Sequence, residues 1–523
     1  MAGLVVFYAW PFANLIVEAI DASAIRTTLT RGRTWEIAWF TLWQAAISTT
    51  LTIVLGLAPA WVVARFDFVG RQLLISMLTA VFVLPTVVMG AAFLALFPDS
   101  IDRTVWAVIA AHTVFNLAVV MRTVGAVWEH LPTDMEAAAA TLGATRLAVF
   151  REITLPLIRP AVAAAAAIVF LFTFTSFGVV RILAAPGTRT IEVEVWRRAT
   201  QLGQVGQAGV LALLQLLVLG AVAIWSARSA RRHARALALR PRQRRRRPRS
   251  SGERTAVGAV AIITAAVAMA PLAAMVIESF SSPSGWSTQA WTTLDSTEIR
   301  PGLALGVDPV GALLRSLRTA GWATLFATVI GALASLAVAA SGRAGRALDA
   351  GLMLPIGTSA VTIGFGMLIT FDTAPVDWRA SWWLVPVGHA LVAVPFVVRT
   401  TLSVLRSVDP DMVDAAATLG ASPTRAWFST VVPHLWRPLA TGAALAAAIS
   451  LGEFGATSFL SRSGGETLPI AVENLLGRTG SLFQAKGYAL ATLLAVATIA
   501  LVVIVDRSGD AMSGRHTDRG ARQ

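Results

Sequence analysis

The chain contains no cysteine, a single lysine and two tyrosines, and only 14% of its 523 residues are charged. The missing cysteine excludes disulfides, thiolate metal sites, iron–sulfur clusters and cysteine nucleophiles. The lone lysine, Lys486, lies in SLFQAKGY from Ser481 to Tyr488. That does not fit the G-x-x-x-x-G-K-[ST] loop, whose lysine reaches nucleotide phosphates. A process driven by ATP would therefore need its nucleotide site on another polypeptide. The scarcity of charge, with 56% hydrophobic residues, leaves too little polar surface for an ordinary water-soluble globule.

What the sequence has in abundance is apolar runs of about 20 residues, each able to cross roughly 30 Å of hydrocarbon. Candidate spans fall near 4–20, 36–64, 72–97, 104–125, 159–181 and 208–226, and near 256–279, 313–341, 347–371, 382–404, 438–460 and 486–506. The expected fold is an all-α integral membrane protein of about twelve transmembrane helices in two homologous six-helix lobes. The lobes are expected at 1–227 and 256–506, with a basic linker at 228–255 and a tail at 507–523. The first span begins almost at Met1, so a signal-peptide core and a start codon lying further upstream are its alternatives.

The net charge of +14 gathers in short loops, where arginine sets membrane orientation rather than binding nucleic acid. RRHARALALRPRQRRRRPRS, within Arg228–Arg254, is too charged to enter lipid and is expected on the cytoplasmic side. Alternation then places loops 126–158 and 405–437, the GRAGR turn at 342–346 and the carboxyl tail on the same side; the loop with Arg26, Arg31 and Arg33 disagrees.

The halves repeat. His112 and His389, Arg122 and Arg399, Gly143 and Gly420, Pro156 and Pro433, Phe177 and Phe454, and Thr190 and Thr467 are each 277 residues apart. A gap-free register over some 80 residues identifies two copies of one unit. An even number of spans gives both copies the same orientation, so they can pair about an axis along the membrane normal.

The loop after the fourth span of each copy is the most specific feature. It reads LPTDMEAAAATLGATRLAVFREITLPLIRP from Leu131 and VDPDMVDAAATLGASPTRAWFSTVVPHLWRP from Val408. Thr133 with Glu136 fits a capping box, and Asp411 or Asp414 is the expected cap of the second copy. An alanine-rich helix should follow, closed by Gly143 or Gly420. Such a short projecting helix suits a groove on a partner, and two copies imply two grooves.

These loops resemble the EAA motif of permeases of ATP-binding cassette (ABC) importers. Gly143, Ile153, Leu155 and Pro156 match in the first copy, with Ala138 and Ala139 in the alanine positions; Ala415, Ala416, Gly420 and Pro433 match in the second. Ala137 occupies the usual glutamate position with Glu136 displaced by one, Asp414 replaces glutamate in the other copy, and Thr430 and Val432 replace Ile and Leu. The resemblance implies a type I importer permease fold and a translocation role. It also implies coupling helices that dock on two ABC ATPase subunits, an extracytoplasmic substrate-binding protein as partner, and a bacterial plasma membrane. FTFTSFGVVRILAAPGTRTIEVEVW from Phe172 and SLGEFGATSFLSRSGGETLPIAVENLLGR from Ser450 look closer to thiamine than to ferric-iron importer permeases. A polyamine or oxyanion permease and an ion-coupled secondary transporter are the alternatives.

Within the spans, Glu453 is a carboxylate where insertion costs about 2.5 kcal/mol or more, and its counterpart is Ser176; both are pathway candidates. His112 and His389 are the others. Two histidines without nearby carboxylates make a poor metal site, so an interhelical hydrogen-bonding role is expected. No catalytic constellation, metal site or cofactor site is expected. The loops at 182–207 and 461–485, with IEVEVWRRA and LPIAVENLL, are expected outside, as contacts for a binding protein or as interfacial turns.

Overall fold

The computed structural model describes residues 2–185, 187–237, 245–300, 303–372, 376–462 and 464–520. Residues 238–244 of the expected linker and 521–523 of the expected tail lie outside the described residues. The chain is helical almost throughout, with two two-stranded antiparallel ribbons, Ser281–Ser282 with Gly285–Trp286 and Glu298–Arg300 with Leu303–Ala304. Among the described residues, eight helices are long and apolar enough to span a membrane, or eleven if three bent helix pairs each count as one span. The expected eleventh span, 438–460, is the one not counted; it corresponds to the helix Val432–Gly452, which stops at Glu453 and is followed by the four-residue helix Thr457–Leu460. His434 and Arg437 occupy its first turns, and the break shortens what remains.

The described chain packs as two units. In one, Thr27–Glu194 with Leu213–Glu278, the helix Gly32–Arg65 runs along Val105–Trp128, and Leu155–Phe174 packs on both. Ala60, Val120, Val124, Trp128, Ile158 and Ala165 form its core. Gly56 permits the close crossing, because a Cβ there would lie 2.7 Å from the Val120 Cβ. In the other unit, Pro309–Ala340 runs along Leu384–Leu405 beside Val432–Gly452. Gly331 makes the equivalent crossing, 2.7 Å from the Val397 Cβ. Matching bonds recur: Ile191 N donates to Thr41 Oγ1 at 3.0 Å, and Leu468 N to Ser316 Oγ at 2.7 Å.

The leading helix of each sequence half joins the unit formed mainly by the other half. Ser251–Glu278 packs on Arg71–Val83 and Thr86–Leu96 within the Thr27–Glu194 unit. The Trp10–Ala19 helix packs on Ala360–Phe371 within the unit of Ser279–Gln523. Gly366 opens the space, since a Cβ there would meet the Pro11 carbonyl oxygen at 3.1 Å, and Asn14 Nδ2 donates to Thr370 Oγ1 at 3.0 Å.

Two expected spans in each unit are broken rather than continuous. Arg71–Val83 and Thr86–Leu96 bend by 106° at Leu84–Pro85, and the equivalent pair through 344–371 bends by 92°. Leu155–Phe174 ends before Thr175, and Gly178–Leu183 follows.

The glycine crossings yield a stability prediction. Gly56→Leu and Gly331→Leu should each destabilise the purified chain by about 1–3 kcal/mol or more through overpacking, read as a lowered thermal midpoint in detergent. Gly220→Leu, where a side chain meets open space, should leave the midpoint unchanged.

Candidate functional site: the paired loop helices and the helix breaks

Both loop helices form where the sequence places them, at Thr133–Thr141 and Pro410–Thr418. Their amino-terminal caps differ from expectation. Pro132 occupies the first cap position, and no side chain caps there. In the second copy the cap is Asp409, which accepts from Asp411 N at 3.0 Å, rather than Asp411 or Asp414. Glu136 is drawn away from capping by Arg65, whose Nη2 lies 2.8 Å from its Oε1, while the Thr154 hydroxyl donates to the same oxygen at 3.0 Å. Arg65 Nη1 also donates to the Leu131 carbonyl at 3.1 Å. The displaced glutamate thus ties the first loop helix to the end of Gly32–Arg65. Asp414 sits on an exposed face in the second copy.

The carboxyl-terminal caps are the same in both copies. Ala144 N donates to Ala139 O at 3.0 Å and Gly143 N to Ala140 O at 3.1 Å; Ala421 N donates to Ala416 O at 3.1 Å and Gly420 N to Ala417 O at 2.9 Å. This is the Schellman pattern, which needs a left-handed residue after the helix. Gly143 and Gly420 supply it, each at φ +86°. The carbonyls of Ala138 and Ala415 accept from Leu142 N and Leu419 N at 3.1 Å each, so the alanines serve the turn through their backbones. Pro156 and Pro433 stand in the first turn of the following helices, where a missing N–H costs nothing.

A signal that sequence reasoning missed lies on the outer surface of these helices. Leu142 is 90% exposed and Leu419 88%, with Met135 at 45% and Met412 at 43%. Each leucine follows its methionine by seven residues, two turns along one face. The repeat itself carried the signal, because Met135 with Met412 and Leu142 with Leu419 share the 277-residue offset.

The pathway candidates fall at the helix breaks. Ser176 is buried in the turn between Leu155–Phe174 and Gly178–Leu183, and its hydroxyl has no partner among the described residues. Next to it, a Cβ on Gly178 would lie 2.4 Å from Thr86 Oγ1 and 3.1 Å from Val87 N, at the start of Thr86–Leu96. The break of one span therefore packs on the break of another. The second unit repeats this, since a Cβ on Gly455 would lie 3.2 Å from Val361 N. Glu453, expected inside a continuous helix, is instead the first residue beyond Val432–Gly452, and it accepts from Ala456 N at 2.8 Å.

His389 joins the two sides of this break: Nδ1 lies 2.8 Å from Ser450 Oγ and Nε2 lies 2.7 Å from Thr457 Oγ1. Because Thr457 donates its own proton to the Glu453 carbonyl at 3.0 Å, it accepts from Nε2–H, and in the neutral ring Nδ1 accepts from Ser450. His112 is equally buried, yet among the described residues neither ring nitrogen has a partner. Val180 stands where the second copy has Thr457, and Thr173, in place of Ser450, donates its hydroxyl to the Val169 carbonyl at 2.9 Å instead. Among the described residues there is no group of three or more possible metal ligands.

The two stretches expected as binding-protein contacts or interfacial turns bury much of their side-chain surface within the units. Glu192 is fully buried and accepts from Gln215 Nε2, and Glu194 lies 3.6 Å from Arg189. Leu468–Leu476 buries Leu468, Ala471, Val472, Leu475 and Leu476.

Residues 52–236 and 327–516 each match the model of the binding-protein-dependent transport system inner membrane component. The chain belongs to this family. It is an ABC importer permease, a transport subunit rather than an enzyme, and it occurs twice over in one polypeptide. The family places it in the inner membrane as a multi-pass component that works with ATPase and substrate-binding partners. Among its relatives is the thiamine transport system permease protein ThiP of Salmonella typhimurium, 24% identical over 92% of this chain and 90% of that protein. The putative 2-aminoethylphosphonate transport system permease protein PhnV of the same species is 31% identical over 38% of this chain and 73% of its own length. The sulfate transport system permease protein CysT is 36% identical over 28% of this chain and 57% of its own.

The contrast between the histidines predicts opposite outcomes. His389→Leu leaves two buried hydroxyls without their partner and should cost about 1–3 kcal/mol, measured by unfolding of the purified permease. His112→Leu removes nitrogens that bond to nothing described and should be neutral or stabilising in the same assay.

Proposed function

We propose that this permease imports thiamine or phosphorylated thiamine, driven by two ATP-binding cassette subunits that dock on the loop helices Thr133–Thr141 and Pro410–Thr418. The observation that carries the docking reading is the repeated exposed pair, Met135 with Leu142 and Met412 with Leu419. Apolar side chains so exposed outside the apolar spans gain by entering a groove, and each full leucine burial is worth about 1.5–3 kcal/mol. Two helices with one cap geometry suit two copies of one ATPase. On this reading Gly143 and Gly420 also keep the approach open, because a Cβ at either would meet nothing within 4 Å. Glu136, Ala138, Ala139 and Pro156, with Asp414, Ala415, Ala416 and Pro433, shape and anchor the two docking elements.

These helices, the central linker and the carboxyl terminus then lie in the cytoplasm. ATP-driven closure of the ATPases moves the helices and reopens the pathway toward an extracytoplasmic binding protein that delivers the solute. The thiamine assignment is supported by likeness to ThiP over nearly the whole chain, whereas the phosphonate and sulfate permeases align with a smaller part. A carboxylate at the Glu453 break complements a cationic solute such as a thiazolium, with Ser176 as the neutral counterpart in the other lobe. His389 acts here as a positioning residue that holds the break closed.

Leu142→Asp with Leu419→Asp should abolish co-purification of the ATPase and ATP-dependent uptake, while detergent-solubilised permease keeps its helical content and size. Retained co-purification would overturn the docking reading, and uptake driven by an ion gradient without any ATPase would favour a secondary transporter. Purifying the cognate binding protein with thiamine bound supports the substrate; ferric ion or an oxyanion in its place overturns it.

A further inference from the structure

The segment from Arg245 onward returns to the Thr27–Glu194 unit and forms a short strand-like pairing with the end of Gly32–Arg65. Arg246 N donates to Arg65 O at 3.1 Å, and Asp67 N donates to Arg246 O at 3.0 Å. The Arg246 guanidinium lies 4.7 Å over the Phe66 ring and grips Glu253 at 2.6 and 2.8 Å. Arg245 reaches Glu129 at 2.7 Å. The two nearby glutamates are thus occupied by arginines that fix the segment in place.

Beside this brace lies a groove of about 670 Å³, lined among others by Asp67, Val69, Arg247, Pro248, Arg254 and Val257. Arg247 and Arg254 are exposed, and among the described residues neither guanidinium has a hydrogen bond or ion pair. Among the described residues Asp67 is the only carboxylate in the lining, beside two arginines, which makes the described lining net positive. Its floor is apolar: Val257 is buried at the start of the spanning helix Ser251–Glu278, and Val69 is fully exposed beside it.

We infer that this groove binds the headgroup of an acidic glycerophospholipid, its phosphate between Arg247 and Arg254 and its acyl chain passing Val69 and Val257 along the Ser251–Glu278 helix. The inference rests on the proposed reading that this end of the spans lies at the cytoplasmic membrane surface. Two cations without protein partners call for an anion, and their position at the end of a span puts that anion at headgroup depth. The valines decide between sources of phosphate, because a free phosphate gains nothing from an apolar floor.

The test uses the full permease in phosphatidylcholine nanodiscs carrying spin-labelled phosphatidylglycerol or spin-labelled phosphatidylcholine, with the immobilised lipid fraction read by electron paramagnetic resonance. The wild type should hold phosphatidylglycerol preferentially, and Arg247→Gln and Arg254→Gln should each weaken that preference about 5-fold, from the electrostatic worth of one cation near an anionic surface. Asp67→Asn should strengthen it. Arg249→Gln, an exposed arginine outside the groove lining, should leave it unchanged.

Equal immobilisation of both lipids, or the same loss from Arg249→Gln as from Arg247→Gln, would overturn the site in favour of diffuse surface charge. Displacement of the labelled lipid by inorganic phosphate as effectively as by unlabelled phosphatidylglycerol would assign the groove to a free anion and overturn the lipid reading. ATPase co-purification with the Arg247→Gln, Arg254→Gln double variant is scored in parallel. Lipid preference without ATPase binding in the wild type sinks the docking reading alone, and ATPase binding without lipid preference sinks only the groove.

Discussion

Backbone that leaves a helix inside an apolar layer has no water to bond, so every interruption there must be satisfied by the protein itself. This constraint organises both packing units, since each contains spans that stop partway: after Val83 and Phe174 in one, after Gly357 and Gly452 in the other. The solution is to pack break against break. Gly178 and Gly455 allow it by having no side chain where Thr86, Val87 and Val361 come closest. The freed amides then find local acceptors: Ser359 Oγ takes Thr362 N at 3.0 Å, and the Glu453 carboxylate takes Ala456 N at 2.8 Å. Glu453 stands at the break because the backbone turns there, and a carboxylate is a strong acceptor for the freed Ala456 N–H.

The repeat and the loop helices were legible in the sequence because they rest on local rules. Alanine-rich helix, left-handed glycine and first-turn proline each act within a few residues, and the 277-residue register doubled every observation. The breaks were not legible. FVLPTVVMG around Pro85 and SLGEFGATSFL around Glu453 read as continuous apolar runs, and only packing against a second interrupted helix makes stopping cheaper than continuing. The exchange of leading helices was hidden for a related reason: Gly366 looks like any glycine in a span until Pro11 is seen to fill its space. Burial of Glu192 and Glu194 was not visible in IEVEVWRRA, because it depends on partners distant in sequence or across a turn, Gln215 for Glu192 and Arg189 for Glu194.

Glu136 shows how a departure from a motif can preserve the physics. Shifted by one residue, its carboxylate no longer caps its own helix, but it reaches Arg65 and Thr154. Arg65 is also the residue whose carbonyl holds Arg246 of the linker. Loop helix, spanning helix and linker therefore meet at one arginine. A substitution there disturbs three elements, whereas Asp414 in the second copy lies exposed, with no side-chain ion pair or hydrogen bond among the described residues.

The two copies consequently share an exposed methionine–leucine face but differ in what lies behind it. In the first, the loop helix is anchored at Arg65, while the histidine at the break bonds to nothing described. In the second, the loop helix relies on its Asp409 cap and its backbone turn, while His389 clamps the break through Ser450 and Thr457. A duplicated permease is free to diverge in this way because the two copies are one chain, encoded once and always paired. Among the described residues the first copy thus pairs an anchored loop helix with a break that its histidine does not bond across, and the second copy has the reverse arrangement. Equal exposed faces on the loop helices thus stand in front of unequal supports at the breaks that hold Ser176 and Glu453.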